Sequence, residues 1–322
     1  MLCISGVRAS RRRVGRRLEA TVNVESGIRA GMLASTGWLA AHLDDPTLRI
    51  VDMRGQVATS EPEPGVQEAV YRGRPADYAV AHIPGAIYLD WTRDLIDPDD
   101  PVPAQAARAD QLAATLGARG IGDQHTVVAY DDAPTSQFAT RLWWLLHLYG
   151  HDRVLVLDGG LPKWQREGRP LTADLPLFPK ATFTPKLQPD LRVEASEVLQ
   201  LIGQPGVRLL DARDERQYTG DLRRGKHGGH IPGAISIPRE LLMDPVTGTF
   251  RDDAALSAVL PKGDAGSDDR LVAYCNGGVA ATGVLFALAL RGYPLERLAN
   301  YDGSWNEWGN RDDVPVRQGQ QP

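Results

Sequence analysis

The segment Leu271-Val-Ala-Tyr-Cys-Asn-Gly-Gly-Val-Ala-Ala-Thr282 changes character twice over a short distance. An apolar run ends at Tyr274, a loop with two adjacent glycines follows Cys275, and a strongly helical run continues from Val279 to Leu290. A short apolar run is typical of a strand buried in a parallel sheet, whereas the longer run fits one buried helix. The segment therefore predicts a strand, a tight loop and a helix in direct succession.

The chain contains much of this pattern twice. Matched segments occur in the same order in both halves: Arg49-Ile-Val-Asp-Met-Arg54 with Arg208-Leu-Leu-Asp-Ala-Arg213, His82-Ile-Pro-Gly-Ala86 with His230-Ile-Pro-Gly-Ala234, Thr126-Val-Val-Ala-Tyr130 with Arg270-Leu-Val-Ala-Tyr274, and Asp158-Gly-Gly-Leu-Pro-Lys-Trp164 with Asp302-Gly-Ser-Trp-Asn-Glu-Trp308. Such matches are hard to obtain by chance. They indicate two copies of one domain, which are too few for a solenoid.

Strands alternate with helices in both halves, and this predicts an α/β fold with two tandem domains. Each domain is expected to be a mainly parallel sheet flanked by helices. The length of 322 residues suits two such domains. We place the first at residues 32–166 and the second at residues 190–316, joined by a Pro-rich linker at residues 167–189. In such sheets, chemistry gathers at the carboxyl ends of the strands.

Composition limits the classes of function. The net charge of -5 gives no reason to expect nucleic acid as a partner. No apolar run approaches the ~20 residues of a membrane helix, so we expect no membrane contact. The only cysteines, Cys3 and Cys275, argue against a disulfide framework and for a reducing, cytoplasmic compartment. Clusters with metal-ligand spacing and phosphate-binding Gly-rich loops are missing, so no metal site is expected.

The beginning of the chain differs from the rest. Residues 1–31 are rich in arginine and contain Glu19 and Glu25 as their acids. No apolar stretch of the kind found in a secretory signal follows the arginines. We expect a disordered extension, and an organelle transit peptide is the alternative.

Cys275 is the candidate nucleophile. It lies between the carboxyl end of a strand and the amino end of a helix, where backbone N–H groups lack intrahelical partners and favour an anion. We therefore predict a reactive thiolate cradled by an active-site loop. The loop residues are Asn276, Gly277, Gly278, Val279 and Ala280. An inert cysteine in a strand-to-helix turn is the alternative.

This loop resembles that of the tandem rhodanese-type sulfurtransferases, which include thiosulfate sulfurtransferase and 3-mercaptopyruvate sulfurtransferase. Their second domain carries Cys-x-x-Gly-Val-x-Ala, matched here by Cys275, Gly278, Val279 and Ala281. The resemblance covers about residues 32 to 316 and implies two rhodanese-like domains. The first domain of those proteins has lost its cysteine. Asp131 occupies the matching position, so the resemblance implies a catalytically inactive first domain.

The resemblance also implies a mechanism. Cys275 takes the outer sulfur of a small anionic donor, thiosulfate or 3-mercaptopyruvate, and becomes a persulfide. Cyanide, a small thiol or a protein thiol then accepts the sulfur. Two half-reactions on one covalent intermediate imply ping-pong kinetics. No metal or organic cofactor is required.

Substrate-binding residues follow from counting along the family pattern. Counting forward from Asp211, the first anion-binding arginine falls on Gln217, with Arg216 adjacent; counting back from His230, the second falls on Arg223. Arginine suits carboxylates and related oxyanions because its planar fork donates two hydrogen bonds. We therefore predict that Arg223 and Arg216 bind substrate, and a solvated basic loop is the alternative.

The donor is less well defined. Mercaptopyruvate-preferring relatives carry a serine two residues after the cysteine, where this chain has Gly277. The histidine that partners this serine matches His82, but His82 and His230 open the same duplicated turn and are interpreted as structural. The active-site loop carries no positive charge that would favour thiosulfate, a dianion. We expect 3-mercaptopyruvate to serve at least as well as thiosulfate.

Two other functions are compatible with this fold. Phosphatases of the same fold need an arginine after five intervening residues, and Ala281 stands there, which argues against phosphate chemistry. A non-catalytic or partner-dependent rhodanese-like module, which relays sulfur or binds partners, remains the alternative function.

Overall fold

This computed structural model describes residue 29, residues 31–261 and residues 268–322. Apart from residues 29 and 31, the extension predicted at residues 1–31 lies outside the described part of the chain, as does Cys3. Within the described part, each half forms a five-stranded parallel sheet flanked by helices, which confirms the predicted α/β class. No helix in these residues is both long and apolar enough to cross a membrane.

The first sheet and an extra hairpin belong to the first domain. The strands are β1 (Leu33–Ala34), β2 (Leu48–Asp52), β3 (Gly55–Glu63), β4 (Val66–Gly73), β5 (Ala86–Tyr88), β6 (Thr126–Tyr130) and β7 (Val154–Leu157). The helices are α1 (Thr36–Ala41), α2 (Pro75–Val80), α3 (Ala109–Ala118), α4 (Gln137–Leu148) and α5 (Gly160–Arg166). The sheet has the order β1-β7-β6-β2-β5, and β3 pairs with β4 as a separate antiparallel hairpin.

The second domain has the same arrangement without the hairpin. Its strands are β8 (Arg192–Val193), β9 (Val207–Asp211), β10 (Ile235–Ser236), β11 (Arg270–Tyr274) and β12 (Leu298–Tyr301). Its helices are α6 (Ala195–Leu201), α7 (Glu215–Thr219), α8 (Asp253–Val259), α9 (Ala281–Leu290) and α10 (Ser304–Trp308), and short 3-10 helices lie at Pro189–Leu191, Arg239–Leu242 and Leu295–Arg297. The order β10-β9-β11-β12-β8 places equivalent strands as in the first sheet.

The predicted linker lies along the first domain. Between α5 and Pro189 the chain forms no regular helix or strand. Its backbone is held by hydrogen bonds from Thr172 to His82, from Ala181 to Gly117 and from Lys186 to Tyr149. Proline-rich sequence suits such an extended path because it cannot continue a helix. The boundaries at 32–166, 167–189 and 190–316 stay predictions.

The domains meet through their equivalent helices α4 and α9. Every residue of α9 is buried, because one side covers its own sheet and the other side contacts α4. Trp143 meets Phe286 edge to face at 5.0 Å, and the Thr140 and Thr282 hydroxyls lie 3.0 Å apart. The uniformly apolar sequence of α9 is therefore explained by burial between two domains.

A buried ion pair crosses the same interface. Arg141 of α4 pairs with Asp302, which follows β12, and both side chains are almost completely buried. The Arg141 guanidinium also donates to the Gly278 carbonyl at 3.2 Å, and Asp302 accepts the Ala106 N–H at 2.7 Å. The first domain thus directly holds the loop that follows Cys275.

The β3–β4 hairpin is a second connection between the domains. The Gln67 N–H donates to the Arg223 carbonyl, and the Arg223 N–H donates to the Gly65 carbonyl, each at 2.8 Å. At the exposed end, Arg216 pairs with Glu61 at 3.1 Å. The hairpin therefore fixes one edge of the first domain against the segment that follows α7.

The loop after β6 holds a buried carboxylate where the loop after β11 has Cys275. Asp131 accepts N–H groups from Ala133 at 3.0 Å, Phe138 at 2.8 Å and Ala139 at 2.9 Å. Burial raises the pKa of Asp131 to about 7, although these hydrogen bonds oppose the shift. The amide-lined loop of the first domain is thus occupied by a side chain of the chain itself.

Arg141→Met should destabilise the protein strongly, because Asp302 would remain buried without its cation. Removing one partner of a buried pair costs about 3–5 kcal/mol of the free energy of unfolding. Urea unfolding of the parent and variant measures this loss. Arg216→Met, which breaks the exposed pair with Glu61, is the matched control and should change little. Equal effects of the two substitutions would contradict the assignment.

Asp131 should make stability depend on pH. Its folded pKa of about 7 exceeds its ordinary value, so between roughly pH 4 and pH 7 the folded state binds more protons than the unfolded state. The free energy of unfolding should therefore fall as the pH rises through that window. Asp131→Asn removes this contribution, and the difference between the two pH profiles measures it. A difference that does not vary with pH would refute the raised pKa.

Candidate active site

Cys275 lies at the carboxyl end of β11, immediately before the loop that leads into α9, and is 3% exposed. It lines a cavity of about 390 Å³ between the two domains. The second domain contributes Asn276, Gly277, Val279 and Ala280 to the wall as well. The structure thus brings Cys275 and four of the five predicted loop residues together. Gly278 lies behind them.

Ser304 holds the active-site loop in place through hydrogen bonds to its backbone. Its hydroxyl accepts the N–H groups of Cys275 and Gly278, both at 3.0 Å, and donates to the Tyr301 carbonyl at 2.7 Å. The Trp305 N–H donates to the Cys275 carbonyl at 3.0 Å. Ser304 was not among the predicted site residues, although the duplicated segment that begins at Asp302 could have drawn attention to it.

Gly278 must be glycine for two reasons. Its φ is +68°, in the left-handed region, and a Cβ atom there would overlap the Asp302 carboxylate. Its carbonyl accepts hydrogen bonds from Arg141 at 3.2 Å and Asn300 at 2.9 Å. These contacts fix the orientation of the Gly278 peptide group in the loop.

Backbone donors remain available beside the sulfur. Within the described residues, the N–H groups of Asn276, Gly277, Val279 and Ala280 donate to no protein acceptor, while those of Cys275 and Gly278 are taken by Ser304. All four residues with unused donors line the cavity. Unpaired amides in a loop before a helix attract negative charge. The arrangement can therefore stabilise an anion on or near Cys275.

Arg224 is the cation that stands out in the cavity wall. Arg74 pairs with Asp132, and Arg239 pairs with Glu240, whereas Arg224 forms no ion pair among the described residues. Its Nε donates to the neutral Gln67 Oε1 at 3.1 Å. Burial lowers the pKa of Arg224, and Tyr71 and Cys275 oppose that shift. Because Gln67 is neutral, it does not compensate the charge of the guanidinium, which can therefore interact with an anionic ligand.

The predicted substrate residues Arg223 and Arg216 both lie outside the wall of this cavity. Arg223 is held in extended pairing with the hairpin, where neighbouring side chains point to opposite sides. Its guanidinium therefore points outward to the Gly225 carbonyl at 3.1 Å, and Arg224 points inward. Arg216 pairs with Glu61 on the surface. Counting from His230 could not distinguish two adjacent arginines.

Amides connect the loop to Arg224. Asn276 Nδ2 donates to Gln217 Oε1 at 2.9 Å, and Gln217 Nε2 donates to Gln67 Oε1 at 2.7 Å. Gln67 Oε1 also accepts from Arg224. Gln217, where the counted arginine is missing, therefore lines the cavity as part of a neutral network that spans both domains.

The histidines lie elsewhere. His82 and His230 are fully buried, each with Nδ1 2.8 Å from a backbone carbonyl, of Tyr78 and Tyr218 respectively. Neither lines the cavity, in agreement with their structural interpretation. In the part of the chain that the structure describes, no group of three or more His, Cys, Asp or Glu side chains could hold a metal ion.

Comparison with known proteins identifies the family. The family model described as "Rhodanese-like domain" matches residues 35–167 and 194–311. The 3-mercaptopyruvate sulfurtransferase of Escherichia coli is 32% identical over 283 residues, covering 87% of this chain and 95% of that protein. The sulfur carrier protein TtuD of Thermus thermophilus is 31% identical over 303 residues, covering 90% and 98%.

A solved structure agrees with these relatives. The crystal structure of SseA, a 3-mercaptopyruvate sulfotransferase of Escherichia coli, matches with a TM-score of 0.70 and 29% identity, covering 85% of this chain and 98% of that one. A match over 85% of this chain includes parts of both domains. The chain therefore belongs to the rhodanese-like family and is a sulfurtransferase with two such domains in tandem.

Proposed function

We propose that this sulfurtransferase moves a sulfane sulfur from a small anionic donor to a thiophilic acceptor through a persulfide on Cys275. The observation that carries the proposal is the position of Cys275 in a cavity where, among the described residues, four backbone donors have no protein acceptor and Arg224 has no carboxylate partner. Thiosulfate and 3-mercaptopyruvate are the proposed donors. Cyanide, a small thiol or a protein thiol is the proposed acceptor.

In the first half-reaction, the Cys275 thiolate attacks the outer sulfur of the donor. A new S–S bond forms while the bond between that sulfur and the rest of the donor breaks. The electron pair of the broken bond leaves with sulfite or with the enolate of pyruvate. The free N–H groups of the loop stabilise the negative charge on the resulting persulfide.

In the second half-reaction, the acceptor attacks the outer sulfur of the persulfide. The S–S bond breaks and its electron pair returns to Cys275 as the thiolate. Donor and acceptor use the same nucleophile in turn, so the kinetics should be ping-pong.

Arg224 is the proposed binding group for the anionic end of the donor. Arg74 and Arg239 also line the cavity, but each has an acidic partner, so the positive charge of the wall that has no carboxylate partner among the described residues is that of Arg224. The lack of positive charge in the loop therefore does not by itself disfavour a dianionic donor. Thiosulfate and 3-mercaptopyruvate both suit this cavity, and equal or better use of 3-mercaptopyruvate stays a prediction. We further propose that the protein works in the cytoplasm, where the thiol stays reduced.

Cys275→Ser should abolish sulfur transfer and leave the melting temperature nearly unchanged, because oxygen replaces sulfur at a buried position without other changes. Mass spectrometry after exposure to each donor should detect one added sulfur on the parent and none on the variant. Cys3→Ser is the matched control and should retain cyanide-to-thiocyanate turnover. Appreciable turnover in the Cys275 variant would refute the mechanism. A parent that takes up no sulfur would favour the partner-dependent module.

Arg224→Ala should lower kcat/KM for anionic donors roughly 10- to 100-fold, since a hydrogen bond to a charged group contributes about 1.5–3 kcal/mol. Arg223→Ala is the matched control, because it removes the adjacent guanidinium from outside the cavity. Steady-state kinetics with both donors compare the two variants. A larger loss in the Arg223 variant would restore the original assignment and exclude Arg224.

A further inference from the structure

Tyr71 places a hydroxyl group of the first domain beside the active-site loop. It lies on β4, its ring packs on Trp91 with centroids 5.2 Å apart, and it lines the cavity together with Cys275. A Cβ atom built on Gly277 would lie 3.3 Å from the Tyr71 hydroxyl. The hydroxyl therefore occupies space directly above the backbone of the loop.

The hydrogen bonds of this hydroxyl leave its proton unused. Asn306 Nδ2 donates to the Tyr71 oxygen at 3.1 Å, so that contact does not involve the tyrosine proton. Among the described residues, no acceptor takes the Tyr71 O–H. A hydroxyl in a cavity wall with an unused proton is a donor for a bound ligand.

Tyr71 and Arg224 line the same cavity, and interaction with the tyrosine raises the pKa of that guanidinium against the lowering effect of burial. One charged donor and one neutral donor thus lie in the same wall. A 2-oxo acid presents a carboxylate next to a carbonyl oxygen and fits this pair. Thiosulfate offers oxyanions to Arg224 but has no carbonyl oxygen for Tyr71.

We propose that the Tyr71 hydroxyl is a catalytic hydrogen-bond donor to the carbonyl oxygen of a 3-mercapto-2-oxo acid donor. The proposal rests on the proposed function and names its substrate class. When Cys275 attacks the donor sulfur, the S–CH2 bond breaks and its electron pair forms an enolate with charge on the carbonyl oxygen. Tyr71 stabilises that charge. The donor's thiol proton, exchanged through water, ends on the carbon, so persulfide anion and 2-oxo acid result.

A hydrogen bond that strengthens as charge develops acts on turnover more than on binding. Tyr71→Phe should therefore lower kcat for 3-mercaptopyruvate by about 100-fold, the usual effect of removing one donor to a developing oxyanion. Its KM should change little because Arg224 still binds the carboxylate. Thiosulfate turnover should stay near the parental value, because sulfite leaves without forming an enolate.

The experiment compares kcat and KM for both donors in the parent, Tyr71→Phe and Tyr149→Phe. Tyr149 is the matched control, because its hydroxyl donates to the Ala107 carbonyl at 2.6 Å and does not line the cavity. The double variant Tyr71→Phe with Gly277→Ser tests rescue. The serine would add a hydroxyl next to the position that the tyrosine oxygen leaves, and it should restore part of the 3-mercaptopyruvate turnover.

Selective loss with 3-mercaptopyruvate and recovery in the double variant support the role of Tyr71. The role is overturned if Tyr71→Phe lowers turnover equally with both donors or with neither donor. It is also overturned if the double variant recovers no 3-mercaptopyruvate turnover. A parent that uses thiosulfate alone overturns this inference and leaves the proposed function standing. A parent that forms no persulfide with either donor overturns the proposed function itself.

Discussion

The ion pair between Arg141 and Asp302 is the interaction on which the rest of the site depends. Neither charge reaches water, so each is tolerable only with the other and with its backbone partners. Because Arg141 belongs to the first domain and also binds the Gly278 carbonyl, loop position and domain contact are set by one group. The reactive loop of the second domain is consequently held in shape by a side chain of the first.

The two domains share one fold but contribute different features to the cavity. In the first half, Asp131 fills the amide-lined loop with a carboxylate. In the second half the corresponding position holds Cys275, and four loop amides have no acceptor within the part of the chain that the structure describes. The first half instead contributes the β3–β4 hairpin, for which the described part of the second half has no equivalent. The cavity therefore exists only where the two domains meet. The first domain, with Asp131 at the position that matches Cys275, contributes the wall opposite that cysteine.

The sequence predicted what depends on local pattern. Apolar runs located the strands and α9, and the repeated segments located two equivalent sheets, because burial in a parallel sheet demands such runs. Contacts between distant segments left no comparable signal. Arg224 was missed in favour of Arg223 because extended pairing with the hairpin decides which arginine points inward. Tyr71 was missed because nothing near residue 71 in the chain indicates a neighbour at residue 277.

Gln67, the hydrogen-bond partner of Arg224, fixes the position of the guanidinium without neutralising its charge. A carboxylate at residue 67 would hold the guanidinium but would neutralise it, and a donor would then have to displace that carboxylate. Gln67 holds it through a neutral oxygen, and the same oxygen accepts from Gln217, which in turn binds Asn276 beside the nucleophile. One hydrogen-bonded network across the two domains thus connects the Arg224 guanidinium to the residue that follows Cys275. The same network therefore fixes the position of Arg224 and leaves its charge in place, and the proposed placement of a small anionic donor against Cys275 requires both.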